Sequence, residues 1–146
     1  METVCLRFDH GTPASVARQA VREALRTWDV VDDDGDTLTV ATELMQNVTQ
    51  HTGNGGQLTL ALRREAGRDA VIVECADADP HRPEPLARDL QRPGGRGLMI
   101  VAALARSWGT RAAVWAGHTG KVVWAELVFA ASPRTRTRET ELGQAG

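Results

Sequence analysis

The 146 residues carry 19 acidic and 17 basic side chains, a formal net charge of −2, and are 42% hydrophobic and 25% charged. That is one domain's length, enough to bury roughly two-thirds of the unfolded surface, and the composition excludes disordered, collagen-like and disulfide-scaffold chains. Without a net basic field, nucleic acid or an anionic membrane would need a local patch, and no apolar run reaches the roughly 18 residues of a membrane span.

The amino terminus, METVCLRFDHG, lacks the charged-then-apolar pattern of an export signal. Cys5 and Cys75 lie in apolar, strand-like runs, so reduced thiols and a cytoplasmic protein are expected. Of the basic residues only Lys121 is lysine; the excess of arginine reads as the codon bias of a GC-rich genome.

Residues 3–9 alternate as a first strand. Thr12 followed by Pro13 predicts a capped helix start, and Val16, Ala20, Val21, Ala24, Leu25 and Trp28 continue at helical spacing. The acidic segment 29–36, DVVDDDGD, ends that helix, and Asp36 or Thr37 is expected to cap a second one running to about His51. TGNGG, residues 52–56, breaks it.

Strands are predicted at 57–63 and 69–76, joined by a turn at Gly67. Residues 77–93 hold four of the six prolines and read as a loop or lid. Gly94, Gly95 and Gly97 open a third helix from Leu98 to about Trp108, and a hairpin over 110–116 and 121–129 turns at GHTG. From Ser132 the chain is polar, so a single domain over 1–130 with a disordered tail over 131–146 is expected. Hairpin-linked strands with interspersed helices imply an α/β (α+β) two-layer sandwich, its mixed sheet mostly antiparallel and its helices on one face.

The second helix carries the main functional signal. Leu38, Ala41, Leu44, Met45 and Val48 make an apolar face, while Glu43, Asn47 and Gln50 share an arc opposite it, with His51 at its edge. An ordinary solvated face would give the same arc. Residues 37–51 nevertheless contain no Lys or Arg, and one carboxylate beside amides and an imidazole suits a metal ion or a proton transfer.

Asp77 closes the strand VIVECAD, where it could accept a hydrogen bond from an exocyclic amine or simply form a turn. GGRGL, Gly94 to Leu98, is a glycine-rich helix start whose backbone N–H groups can approach an anion, with Arg96 adding a charge-assisted contact. GHTGK fails as a P-loop, since Trp115 and Val122 replace the glycine and hydroxyl it needs. Asp32, Asp34, Asp36 and Glu43 mimic calcium-loop positions, but Thr37 stands where the essential glycine belongs.

Taken in order, ELMQNVTQH (43–51), DADP (77–80), GGRGL (94–98) and GKVVWAEL (120–127) resemble the GHKL ATPase superfamily. Within it the chain is most similar to small bacterial anti-sigma factor serine/threonine kinases and their stand-alone ATP-binding regulator relatives. The resemblance, which extends to about Phe129, implies ATP and Mg2+ held between helices and sheet under a lid. It implies Glu43 as general base and Asn47 as magnesium ligand. It also implies Asp77 as the adenine-reading aspartate, and Gly95, Arg96, Gly97 and Leu98 as the phosphate-binding corner. The implied partners are a sigma factor and an anti-sigma factor antagonist, with a homodimer possible. The family's D-x-G-x-G is here Asp77-Ala78-Asp79-Pro80-His81, so both glycines are replaced. Lys121 or Val122 stands where a threonine is often found. An ATP-dependent kinase acting by partner switching is therefore expected, with a regulatory binding module that transfers no phosphate as the rival.

Overall fold

A computed structural model describes residues 2–52, 55–77, 95–115 and 118–131 of the protein, with only the backbone at 51–52, 95–97, 115 and 118–119. Strand β1 (Glu2–Phe8) leads into helices α1 (Ala14–Thr27) and α2 (Asp36–Thr52). Strands β2 (Gly56–Glu65) and β3 (Arg68–Asp77), helix α3 (Gly95–Leu104), and strands β4 (Ser107–Trp115) and β5 (His118–Ala130) follow. The loop or lid expected beyond Asp77 and the tail expected from Ser132 lie outside the described residues.

The five strands form one sheet in the order β1-β2-β3-β5-β4. Every described pair is antiparallel, so the sheet is not mixed. Pleating sends alternate side chains to opposite faces. Leu58, Leu60 and Leu62 of β2, Val71, Val73 and Cys75 of β3, and Val123, Ala125 and Leu127 of β5 all project into one core. Val21 and Ala24 of α1, Val40, Leu44 and Val48 of α2, and Leu98 and Val101 of α3 close it from above. The result is the two-layer α+β sandwich expected from the hairpins. Each fully buried Leu or Val stabilises the fold by roughly 1.5–3 kcal/mol.

The other sheet face carries ion pairs, Arg111 to Glu74 at 3.0 Å and Arg63 to Glu126 at 3.1 Å, with Arg106 also against Glu126. On that face Trp124 lies over Gly109, where a Cβ would come within 3.0 Å of the indole ring. A glycine on the edge strand thus gives the ring its seat.

Several element ends differ from expectation. Thr12 does not cap α1: its hydroxyl accepts from the Asp9 N–H, and Pro13 is the N-cap without a side-chain bond. Helix α1 closes in a Schellman motif, with Asp29 N–H to Arg26 O, Val30 N–H to Leu25 O, and Asp29 at φ 55°. Ala17, not the exposed Val16, faces the core. Neither Asp36 nor Thr37 caps α2. The Asp32 carboxylate accepts from both of their N–H groups, at 3.0 and 2.8 Å. Committed to that cap, Asp32 is the N-terminal anchor of a helix and not a calcium-loop ligand. Helix α3 stops at Leu104, and Trp108 belongs to β4, because the Arg106 N–H turns to the sheet and donates to Glu126 O at 2.8 Å.

Candidate functional site

Helix α2 is central because it packs against both β3 and α3. Its buried side chains are Thr37, Val40, Ala41, Leu44, Asn47 and Val48. The buried face is therefore wider than the apolar stripe in the sequence. It includes Val40, which that stripe omits, and leaves Leu38 and Met45 half-buried. Asn47 does not stand opposite the core; it is buried on the flank of that face, with 3% exposure. Glu43, one turn earlier and about 6 Å back along the axis, is half-buried, and Gln50 is exposed. His51 lies in the helix.

The glycine break fixes where this flank meets the sheet. A Cβ on Gly55 would lie 1.9 Å from Phe8 O, and one on Gly56 would lie 2.3 Å from Ala76 O and 3.2 Å from Val48 Cγ1. Only glycines let α2 turn into β2 this closely. Val48 is thereby seated at the Gly56–Ala76 end of the sheet, bringing its neighbour Asn47 to the end where β3 finishes at Asp77.

Asp77 continues the alternation of Val71, Val73 and Cys75 and so faces the helix layer, with 1% exposure. Its cross-strand partner is Lys121, which continues the stripe of Leu127, Ala125 and Val123 and is 6% exposed. The core stripe of β3 and β5 thus ends in a carboxylate opposite an ammonium. The thiol of Cys75 is pushed well above its ordinary range, by burial first and then by the Asp77 charge. That field reaches along the stripe because little water is present to screen it.

Helix α3 supplies the remaining wall. It ends just before β4 begins, where Ser107 pairs with Glu126 of β5. Its ten residues span about 15 Å, and it packs chiefly against α2. Gly95, Arg96 and Gly97 form its first turn, and Leu98 behind them is buried in the core. The Asn47 amide and the Asp77 carboxylate thus lie toward one end of the helix–sheet seam, with α3 packed against the same helix α2.

These groups suit a nucleotide with its cation. Buried Asp77 offers an acceptor in a dry wall, a helix N-terminus favours phosphate, and an amide oxygen is a hard ligand that magnesium accepts. Among the described residues no group of three or more His, Cys, Asp or Glu could hold a metal ion. A magnesium ion held by the Asn47 amide oxygen would take further oxygen ligands from phosphate and water. A separate pocket of about 150 Å³ opens on the opposite flank of α2, between Phe8, His10, Thr42, Met45 and Gln46, and contains none of the site residues named from sequence. Lys121 is the buried group that sequence reasoning missed as a site residue. Its phase with Val123 and Ala125 was visible, but its opposition to Asp77 requires the β3–β5 pairing.

A family model for the histidine kinase-like ATPase domain matches residues 11–127, spanning α1 through most of β5. A comparison with curated proteins finds no match. Domains of this family generally bind ATP, usually with Mg2+. Among the described residues no helix is long and apolar enough to cross a membrane. With its two-layer fold and a match over most of its length, the chain belongs to the histidine kinase-like ATPase domain family.

Proposed function

We propose that the chain is an ATP-dependent serine/threonine protein kinase of the anti-sigma factor type, regulating transcription by partner switching in the cytoplasm. The observation that carries this reading is the Glu43–Asn47 pair. The amide is buried on the flank of α2, and the carboxylate one turn earlier stays within reach of a solvent-borne substrate. A kinase needs a metal-binding group and a base facing the same phosphates, and the i, i+4 spacing provides it.

In this reading Asn47 holds Mg2+, the N–H groups at Gly95 and Gly97 with Arg96 and Leu98 hold phosphate, and Asp77 accepts from the adenine amine. ATP supplies the phosphoryl group and Mg2+ offsets its charge. Glu43 would take the proton of the substrate hydroxyl as that oxygen bonds to the γ-phosphorus and the bond from that phosphorus to the bridging oxygen breaks, releasing ADP. The substrate would be an anti-sigma factor antagonist, whose new charge of about −1.5 to −2 weakens its docking, and the regulated partner a sigma factor. A homodimer is part of the same proposal.

A second reading, a regulator that binds ATP or no nucleotide and transfers no phosphate, is favoured by the replaced glycines at Asp79 and His81. Side chains there would crowd a backbone that family members bring close to the nucleotide. Labelled ATP incubated with the protein and an antagonist-type substrate separates the two. The kinase reading expects transfer that Glu43→Ala abolishes while nucleotide binding persists. Transfer that survives Glu43→Ala removes the assigned base. Binding without any transfer favours the regulator.

A further inference from the structure

Lys121 is the chain's one lysine among 17 basic residues, and it is buried. Lysine is almost never fully buried unless paired, since an ammonium taken from water loses its hydration. The neighbours in phase with it on β5, Val123, Ala125 and Leu127, are all apolar core. Packing alone would favour another apolar residue at position 121. A charge kept there calls for a reason, and its register supplies one: the residue opposite is Asp77.

Cβ atoms of directly opposed residues lie about 4.5–5.5 Å apart, and both side chains are buried, so a carboxylate and an ammonium are based on one small patch where β3 ends. The surface presents an acceptor and a donor side by side. The hydrogen-bonding edge of adenine presents the complement, an exocyclic N–H donor next to the N1 ring acceptor, and proteins read bases on that edge. A compact ammonium on a flexible stem suits a single ring nitrogen, whereas the planar fork of arginine suits paired oxygens. Arginine is the usual cation of this chain, and it is not the one placed here.

We propose that Lys121 is a second base-reading group, donating from Nζ to adenine N1 while Asp77 accepts from the exocyclic amine. This deepens the nucleotide-binding part of the proposed function and rests on it. The pair also balances charge in the subsite, so Asp77 keeps its acceptor role without an uncompensated buried anion.

A cycle that changes the residue and the ring atom separately tests this by calorimetric titration. The wild type and Lys121→Met are each titrated with Mg·ATP and with Mg·1-deaza-ATP, which lacks the N1 acceptor. The wild type should prefer ATP at least tenfold. K121M should lose at least tenfold on ATP and bind the two ligands equally. K121T, which removes the ammonium with a smaller side chain, passes through the same cycle, with far-UV circular dichroism checking that each variant is folded. A wild type that binds both ligands equally, or a folded variant that keeps the wild-type preference, overturns the role of Lys121 and leaves ATP binding standing. A wild type that binds neither ligand overturns the nucleotide reading and this inference together.

Discussion

Gly56 and Ala76 approach so closely that a Cβ on Gly56 would stand 2.3 Å from the Ala76 carbonyl oxygen. The obstacle is backbone, which cannot swing aside as a flexible side chain can. Gly56→Ala must therefore push β2 from β3 at the end that carries Asp77, or lift Val48 from it. Overpacking of this kind costs about 1–3 kcal/mol. Urea unfolding should show the variant less stable by that amount; unchanged stability would mean that α2 is seated elsewhere.

Asp32 caps α2 from four and five residues upstream, accepting from the Asp36 and Thr37 N–H groups. Asp32→Ala leaves both donors without that carboxylate at the start of the helix that carries Glu43 and Asn47. A lost N-cap costs about 0.5–2 kcal/mol. Chemical denaturation should read that loss, with Asp32→Asn retaining only part of the stability because its single amide oxygen can accept from one of the two N–H groups. Equal stability of D32A and wild type would contradict the cap.

The Asp36 carboxyl is held above its ordinary range, by desolvation first and then by the charges of Asp32 and Asp34. The folded state therefore binds this proton more readily than the unfolded chain does. Stability from this group falls as pH rises through the carboxylate range. Asp36→Asn removes the penalty, so it should unfold at a higher temperature than wild type at neutral pH. The gap should close toward pH ~3, where the wild-type carboxyl is largely protonated. An Asp36→Asn variant less stable at neutral pH would reverse the sign.

Truncating Leu44, fully buried in the middle of α2, should be the most damaging of these changes. Leu→Ala in a closed core costs about 2–5 kcal/mol. Thermal unfolding of Leu44→Ala checks it, with Gln50→Ala on the exposed side of the same helix as a near-neutral control.

Much of this fold was legible because alternation and helical spacing report burial locally. The strands around Leu58–Leu62 and Val71–Cys75 follow from period two, and α2 from its spaced apolar residues. What local periodicity does not carry is how wide a face a helix buries. Held between β3 and α3, α2 buries Val40 and Asn47 as well as the stripe through Leu44 and Val48. Asn47 therefore belongs to the wall of the seam, although its spacing put it on an opposing polar arc. The end of α3 was lost for a similar reason. VAALARSW stays periodic through Trp108, but the Arg106 N–H finds its acceptor on β5. Lys121 needed the same knowledge, since β3 and β5 are paired across an intervening helix and strand.

Thermal unfolding with increasing Mg·ATP tests most directly whether a nucleotide occupies the seam of α2, α3, β3 and β5. A ligand at one hundred times its dissociation constant stabilises the folded state by about 2.7 kcal/mol. The melting temperature of the wild type should climb with Mg·ATP, and that of Asp77→Asn, which keeps the shape but loses the anionic acceptor, should climb far less. No rise for the wild type, or an equal rise for both proteins, would contradict a nucleotide read by Asp77.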